Sequence, residues 1–312
     1  MIGAAAREKR NARATDRGPH ERLSEATGLT ARIPDLLLES RIVANTVAHG
    51  LHGRRRAGTG ETFWQFRHFQ TGEPAKRIDW RRSARDDHLY VREREWEAAH
   101  TLWLAIDQSP SMYFSSDMAD RAKIDRAVVL SLALSDLAVR GAERVGFTGL
   151  FPPTAQRNVA ERAAEALARN GDAREMASLP KPAGMGRFSD LVVFSDLLDT
   201  VVDIEAAAAR IAGSGIRGHI VMIVDPVEET FPFDGRIEFS DPETSMKIVL
   251  GKSETVRDSY IARMTQRRDR IAKLCSRLDW SFTVHHTDRP AAECLLALHE
   301  RLTHFVPMGA GA

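Results

Sequence analysis

The stretch TLWLAIDQSPS, residues 101–111, joins an apolar run to a group of side chains that carry oxygen atoms. The apolar run has the length and composition of a strand that is buried in a sheet. It ends at Asp107, and Ser109 and Ser111 follow at alternate positions. Carboxylate and hydroxyl oxygens are hard ligands, which favour magnesium, calcium or manganese over zinc. The motif therefore predicts a site for one divalent cation, with Mg²⁺ as the first choice.

The residues after this motif alternate between apolar runs of strand length and helical stretches. The predicted strands after the first cover residues 144–151, 190–196, 218–225 and 280–287. The predicted helices cover residues 123–140, 158–171, 203–215, 253–278 and 289–305. Residues 226–250 interrupt the alternation and predict a β-hairpin insertion with a turn near Asp241. The pattern is typical of an α/β fold of Rossmann-like, three-layer architecture, with a mostly parallel central sheet and helices on both faces.

Acidic residues end three of the predicted strands, at Asp107, Asp196 and Asp225. In open α/β sheets, ligands bind beyond the carboxyl ends of the strands, so a second strand-end acid can complete the cation site. We predict Asp196 as this further ligand, with Asp199 as its rival. Asp225 precedes a proline, which favours a turn over a ligand. The alternative for the whole group is a set of helix N-caps, where aspartate and serine are also common.

The first hundred residues differ in composition from the rest. Residues 1–25 are basic and rich in small side chains, which predicts a disordered tail. Residues 33–49 predict a helix with a proline in its first turn. Residues 54–94 hold eleven Arg or Lys against six Asp or Glu, and their aromatic side chains need a surface to pack on. We therefore divide the chain into the tail, an N-terminal extension over residues 26–100 packed on the main domain, and a main domain over residues 101–306.

Overall composition narrows the classes of function. Lys plus Arg (44) nearly balance Asp plus Glu (43), so the net charge favours neither a nucleic-acid partner nor a membrane surface. The two cysteines are too few for a disulfide or zinc framework. The sequence has no apolar run of about 18 residues and no apolar core of a signal peptide at its N-terminus. We therefore expect a cytoplasmic protein without a membrane span.

The motif DQSPSM resembles the metal-ion-dependent adhesion site of von Willebrand factor A domains, whose first motif is Asp-x-Ser-x-Ser. In this resemblance Asp107, Ser109 and Ser111 match, and Asp196 matches the aspartate that follows a later strand. The resemblance implies a von Willebrand factor A-type fold and a cation with one open coordination position, which an acidic residue of a protein partner fills. The family's middle motif contributes a threonine. Thr154 is the nearest candidate, and its context FPPTAQRN departs from the family's pattern.

The segment before this motif resembles the signature of the bacterial family catalogued as domain of unknown function fifty-eight. The match lies within FRHFQTGEPAKRIDWRRSAR, residues 66–85. The matching residues with side chains suited to ion pairs or stacking are Arg67, Arg77, Asp79, Trp80 and Arg85. Two separated motifs occur in the family's order, and the resemblance covers about residues 30–305. It implies an adaptor or co-chaperone-like role with a MoxR-type AAA+ ATPase and its client.

Two roles are open for the signature segment. Arg77, Asp79, Trp80 and Arg85 could form a functional patch on the surface. They could equally form a buried ion-pair network that anchors the N-terminal extension, because arginine fits carboxylates bidentately and tryptophan offers a stacking face. We favour the structural role.

No sequence motif supports an enzyme. A P-loop and a dinucleotide-binding glycine motif are both lacking. Phosphatases of the haloacid dehalogenase type also begin with an aspartate at a strand end, but their chemistry needs a second acid two residues later, where this chain has Ser109. We expect a metal-dependent protein–protein interaction module. The alternatives are a metal-dependent phosphoester hydrolase and a degenerate scaffold that binds its partners without metal.

Overall fold

A computed structural model of the chain describes residues 19–54, 64–70, 73–85, 87–94, 100–169, 177–240 and 247–304. The chain divides into two compact units. The larger unit holds Met1–Gly50 and Thr101–Ala312, and the smaller unit holds Leu51–His100. The predicted disorder of residues 1–25 falls largely outside the described residues and stays a prediction.

The helices of the described residues begin and end as follows: α1 (Pro19–Arg54), α2 (Trp80–Ser83), α3 (Lys123–Arg140), α4 (Val159–Arg169), α5 (Val201–Gly213), α6 (Pro226–Thr230), α7 (Arg257–Arg277) and α8 (Ala291–His304). The strands are β1 (Trp64–His68), β2 (Tyr90–Arg94), β3 (Thr101–Ile106), β4 (Arg144–Phe147), β5 (Phe151–Thr154), β6 (Asp190–Ser195), β7 (Arg217–Val224), β8 (Ile237–Ser240), β9 (Lys247–Leu250) and β10 (Ser281–His286). Within the described ranges, no helix combines the length and the apolar character that crossing a bilayer requires.

Helix α1 is longer than predicted and carries Pro34 in its interior rather than in its first turn. A proline inside a helix removes an amide donor and clashes with the preceding turn, so an isolated helix would end there. Tertiary contacts offset this cost, because Leu36 is fully buried and Arg32 forms an ion pair with Asp125 at 2.5 Å. These contacts assign the residues up to Gly50 to the larger unit. The sequence analysis had assigned residues 26–50 to the N-terminal extension instead.

Six strands form the central sheet of the larger unit, in the order β5-β4-β3-β6-β7-β10. All neighbouring pairs are parallel except β4 with β5, which is antiparallel. Side chains of α5 and α7, including Ile204 and Leu274, pack with Trp103 of β3 on one face. The almost fully buried helix α3 contacts β3 and β4. The predicted α/β fold with a mostly parallel sheet and surrounding helices is confirmed.

The edge strand β5 is a feature that the sequence did not predict. Residues 144–151 were expected to be one strand, but the chain turns at Gly149, which has a φ of +72°, and returns as β5. Strand β5 has the sequence FPPT. Proline has no amide hydrogen to donate to a neighbouring strand and is therefore confined to the edge strands of a sheet. Two prolines in this segment are typical of a loop, so no separate strand was predicted here.

The predicted β-hairpin insertion is confirmed, because β8 and β9 pair antiparallel from Ile237 with Leu250 to Ser240 with Lys247. The predicted turn near Asp241 lies outside the described residues. The first residues of the insertion form the short helix α6.

The smaller unit contains a pair of antiparallel strands. Strands β1 and β2 pair from Trp64 with Arg94 to His68 with Tyr90. The short helix α2 begins after Asp79, whose Oδ1 accepts a hydrogen bond from the amide of Arg82 at 3.0 Å. Ser83 closes this turn, because its hydroxyl accepts from the amide of Tyr90 at 2.9 Å.

The backbone of β7 lies directly against the indole ring of Trp280. A Cβ atom on Gly218 would lie 2.2 Å from Cδ2 of Trp280, so only glycine fits beneath this ring. We expect Gly218→Ala to lower the free energy of unfolding by about 1–3 kcal/mol, as overpacking in a core does. Denaturant unfolding measures the effect. Gly213→Ala is the matched control, because a Cβ there meets nothing within 4 Å. Equal unfolding midpoints for the two variants would contradict this account of the core.

Candidate metal centre

The parallel pairing of β3 with β6 brings the ends of both strands to one edge of the sheet. Ile106 is paired with Phe194, and the amide of Asp107 donates to the carbonyl of Phe194 at 2.9 Å. The next two residues after Phe194 are Ser195 and Asp196. The strand-end acids Asp107 and Asp196 therefore lie at neighbouring strand ends, as the sequence predicted, and both are almost completely buried.

The carboxylate of Asp107 is held by two local donors. Its Oδ1 accepts from the amide of Ser109 at 2.8 Å, and its Oδ2 accepts from the hydroxyl of Ser195 at 2.6 Å. The Ser195 hydroxyl in turn accepts from the amide of Leu197 at 2.9 Å, so its orientation is determined. These bonds set the direction of the Asp107 side chain before any ligand is present.

Burial leaves Asp107 in an electrostatically unfavourable place. Burial raises the pKa of its carboxyl group above the ordinary value, and the negative charge of Asp196 raises it further. The hydrogen bonds from Ser195 and Ser109 act in the opposite direction but do not cancel this rise. A positive charge near both carboxylates would relieve the repulsion between them.

The two serine hydroxyls of the motif lie next to each other. Ser109 Oγ and Ser111 Oγ are 3.1 Å apart, and both residues are buried. Oxygens bound at adjacent octahedral positions around Mg²⁺, each at about 2.0–2.1 Å, are separated by about 2.9 Å. The separation of the two hydroxyls is therefore close to that of two ligands of one cation.

The two carboxylate oxygens of Asp196 lie in different environments. Its Oδ2 accepts from the ammonium group of Lys123 at 2.9 Å. Its Oδ1 is buried and has no hydrogen-bond partner among the described residues. A buried carboxylate oxygen without a donor costs free energy, so this atom is the strongest indication that the site accepts a cation.

Lys123, the first residue of α3, supplies the nearest positive charge. Its side chain is 0% exposed, and its ammonium group donates to Asp196 and to Glu228 Oε1, the latter at 2.5 Å. Burial lowers the pKa of Lys123, but the carboxylates of Asp196 and Glu228 raise it by more, so the pKa lies above its ordinary value and the ammonium is charged. The single ammonium of Lys123 is therefore shared between Asp196 and Glu228, and Asp107 has no hydrogen bond to it.

Asp225 serves as a helix cap and not as a free ligand. Its carboxylate accepts from the amide of Val227 and forms a capping box with Glu228 at the start of α6. It also accepts from the amide and the hydroxyl of Ser116, at 2.9 and 2.5 Å. These bonds use both of its oxygens and tie the loop after Ser111 to the end of β7. The turn expected at this position is a helix start.

The two secondary candidates lie apart from the serine pair or are used elsewhere. Thr154 is paired with Val145, which is paired with Leu102, five residues before Asp107. At about 3.3 Å per residue, this register places Thr154 about 16 Å from the carboxyl end of β3. The register thus does not bring Thr154 to the site, because β5 runs antiparallel and ends at the other edge. Asp199 accepts from the amide of Ser178 at 2.7 Å and so anchors a neighbouring loop.

The signature residues of the smaller unit are only partly described. Asp79 caps α2, whereas Trp80 is 62% exposed and Arg85 is also exposed. The buried network that we favoured from sequence is therefore not found for Trp80 and Arg85. Trp80 begins this four-residue helix, in which Ser83 is the buried residue, and Arg85 follows the helix. The side chains of Arg67 and Arg77 lie outside the described residues.

Three functional residues escaped the sequence analysis. Ser195 precedes Asp196 directly, and an inward-facing hydroxyl before a strand-end acid was its only signal. Lys123 and Glu228 lie 16 and 121 positions beyond Asp107 in the sequence, and nothing in their local context distinguishes them from surface charges. Their pairing depends on how α3 and α6 meet the sheet.

The oxygen set fits a hard cation and no other kind of metal. Asp107, Ser109, Ser111 and Asp196 provide carboxylate and hydroxyl oxygens, which suit magnesium, calcium or manganese. In the part of the chain that the structure describes, there is no group of three or more His, Cys, Asp or Glu that could hold a metal ion. The candidate set contains two such residues, Asp107 and Asp196, and its other two oxygens are serine hydroxyls.

Comparison with known proteins identifies the family. The family described as "Protein of unknown function DUF58" matches residues 65–270. The chain belongs to the DUF58 family. This match confirms the resemblance to this family that the signature segment indicated.

The chain is also similar to uncharacterized proteins of two mycobacteria. Uncharacterized proteins of Mycobacterium tuberculosis and Mycobacterium bovis are 30% identical over 118 residues, which is 38% of this chain. The match spans 37% of the length of each of these relatives.

Two solved structures show remote similarity to this chain. A conserved hypothetical protein, BatB, of Bacteroides thetaiotaomicron is 15% identical with a TM-score of 0.38, over 65% of this chain and 98% of that chain. An aerotolerance-related membrane protein of Bacteroides fragilis is 18% identical with a TM-score of 0.37, over the same shares of the two chains. At these TM-scores the two similarities add nothing to the fold assignment.

Proposed function

We propose that this DUF58 protein is a metal-dependent protein–protein interaction module and not an enzyme. One divalent cation, Mg²⁺ in the first instance, would be held by Asp107, Ser109, Ser111 and Asp196. The observation that carries the proposal is the buried Oδ1 atom of Asp196, which has no donor among the described residues and lies beside a second buried carboxylate. The bound cation would supply a positive charge at the carboxyl edge of the sheet, which would attract an anionic group of a partner.

Charge balance supports this proposal. Asp107, Asp196 and Glu228 place three carboxylates beside the single ammonium of Lys123, so these four groups have two negative charges in excess when all are ionised. One divalent cation would neutralise that excess. Side chains of this chain provide four oxygen ligands, whereas Mg²⁺ prefers six, so positions remain for water and for a carboxylate from a partner.

The identity of the partner rests on the family resemblance. That resemblance implies a MoxR-type AAA+ ATPase together with its client, and an adaptor or co-chaperone-like role between them. An ATP-driven partner would place the module in the cytoplasm. The same setting suits the two free and buried thiols of Cys275 and Cys294.

A scaffold that works without metal is the second candidate, because one observation favours it. The ammonium of Lys123 already contacts Asp196, and the register does not bring Thr154 to the site. A lysine can act as a permanent internal cation in such a cluster. For the phosphoester hydrolase, the chain offers only the hydroxyl of Ser109 at the position of the second acid, so no specific observation favours it.

Thermal unfolding with and without cations tests the proposal. We expect millimolar Mg²⁺ or Mn²⁺ to raise the unfolding temperature by about 5–10 °C over a chelator control, if the cation is present at about one hundred times its dissociation constant. Asp107→Ala should abolish this shift, because the variant loses a carboxylate that balances the cation. The sheet should still fold, since the variant also removes a source of repulsion.

Asp288→Ala is the matched control, because Asp288 is an exposed aspartate in the turn after β10. It should keep the full cation-dependent shift. Absence of any shift in the wild-type protein would refute the metal-dependent function and leave the scaffold. A pulldown in which Asp107→Ala binds its partner as well as the wild type would do the same.

A further inference from the structure

We propose that Lys123 is a positioning residue of the cation site: its ammonium holds Asp196 through Oδ2 and thereby directs Oδ1 toward the cation. This inference rests on the proposed function and deepens it. It assigns a role to a completely buried lysine, which neither the Asp-x-Ser-x-Ser motif nor the family signature includes.

The position of Lys123 is unusually well determined. The side chain is 0% exposed, so it cannot swing into solvent as most lysines do. Its backbone amide donates to the carbonyl of Phe114 at 3.3 Å, and its ammonium lies 5.8 Å from the centre of the Phe114 ring. Both ends of the residue are therefore tied to the loop that carries Ser109 and Ser111.

The contacts of the ammonium link three parts of the sheet edge. Asp196 follows β6, Glu228 lies in α6 after β7, and Lys123 begins α3. Glu228 also accepts from the amide of Asp225, so its carboxylate is oriented from the other side. The carboxylate of Asp196 is thus held by a chain of charged hydrogen bonds that extends from the helix cap of α6. Partners of this kind, which orient a metal ligand from behind, commonly change metal affinity by 10- to 100-fold when they are removed.

A fixed positive charge next to a cation site has two opposite effects. It repels the incoming cation, so its removal would strengthen cation binding if charge alone mattered. It also orients the ligand, so its removal would weaken cation binding if position mattered. The two effects predict changes of opposite sign, which makes them separable by experiment.

The double variant Lys123→Met/Glu228→Gln separates them, because it removes one positive and one negative charge and keeps the sum unchanged. Methionine retains most of the length of the lysine stem. The single variant Glu228→Gln is the matched control, because it keeps the contact between Lys123 and Asp196 but leaves one extra positive charge. Calorimetric titration with Mn²⁺ and with Mg²⁺ measures the dissociation constants of all three proteins, and circular dichroism verifies that each is folded.

We expect the double variant to bind Mn²⁺ at least 10-fold more weakly than the wild type, and more weakly than Glu228→Gln. If charge alone mattered, Glu228→Gln would be the weakest binder and the double variant would equal the wild type, which would overturn the role of Lys123. Wild-type protein that binds neither cation would overturn the proposed function itself, together with this inference. The two failures are therefore distinct.

A second double variant keeps the inference testable if the first does not fold. Lys123→Gln/Glu228→Gln has the same charge sum and retains an amide donor at position 123. Its dissociation constant for Mn²⁺ should be larger than that of the wild type, because the glutamine side chain is shorter than lysine and its amide is uncharged. A dissociation constant equal to that of the wild type would again remove the positioning role.

Discussion

Replacement of Lys123 by methionine alone is expected to lower the free energy of unfolding by about 3–5 kcal/mol at pH 7 in the absence of metal. The ammonium is buried and contacts two carboxylates, at 2.9 Å to Asp196 and 2.5 Å to Glu228. Its removal leaves both carboxylates buried without a counter-ion. The free-energy cost of these uncompensated charges exceeds the free energy that the ion pairs contributed. Burial already raises the pKa of Glu228 even though Lys123 opposes that rise.

Denaturant unfolding at pH 7 with a chelator present measures this loss. Lys181→Met is the control, because Lys181 is exposed and should change the stability by less than about 0.5 kcal/mol. The second change Glu228→Gln should recover part of the loss, since it removes one of the two stranded charges. If Lys123→Met is as mild as Lys181→Met, the ammonium does not hold the two carboxylates as described.

Acidification is expected to destabilise the protein through His285, beginning near pH 6.5. His285 is 4% exposed, and burial, followed by the charges of Arg126 and His286, lowers its pKa from 6.5 to about 3. Between these two values the unfolded chain binds a proton that the folded chain does not. The free energy of unfolding therefore falls by about 1.4 kcal/mol for each pH unit in this window, or about 4 kcal/mol by pH 3.5.

Comparison of the wild type with His285→Gln isolates this effect. Groups such as Asp107 and Glu228 have raised pKa values and bind protons in the folded state first, so they act with the opposite sign. They are common to both proteins and cancel in the difference between the two stability curves. The difference between the free energies of unfolding of the two proteins should be constant above pH 7 and should change steadily below pH 6.5. His49→Gln, which makes the same replacement at an exposed histidine of α1, is the matched control. A flat difference for His285→Gln down to pH 4 would mean that this imidazole is not buried in its neutral form.

The sequence predicted the fold class because the strands of this protein carry a strong local signal. Strands β3, β6 and β7 are almost continuous apolar runs, as strands buried on both faces must be, and each ends in an acid or just before one. Helix α3 begins and ends at the residues predicted, since its apolar stretch is closed by Gly141. Strand β5 was missed because two prolines on an edge strand look like a loop.

The same distinction applies to the site. The local motif identified Asp107, Ser109 and Ser111, and the rule that parallel strands end at one edge brought Asp196 to them. That reasoning used only the chain direction and the order of acids along the sequence. Thr154 was named only as the nearest candidate for the threonine that the resemblance implies, and the register of the antiparallel strand β5 does not bring it to this edge.

By itself, then, the sequence determined the parallel sheet, the strand-end acids and the serine pair, because apolar periodicity and a six-residue motif are local properties of the chain. Tertiary structure alone decided that Lys123 and Glu228 stand behind Asp196, that Ser195 orients Asp107, and that Asp225 caps a helix. These contacts join residues 73 to 105 positions apart, or depend on the direction in which a helix leaves the sheet. No short stretch of sequence carries that information, since the interaction energy appears only when the strands have been placed side by side.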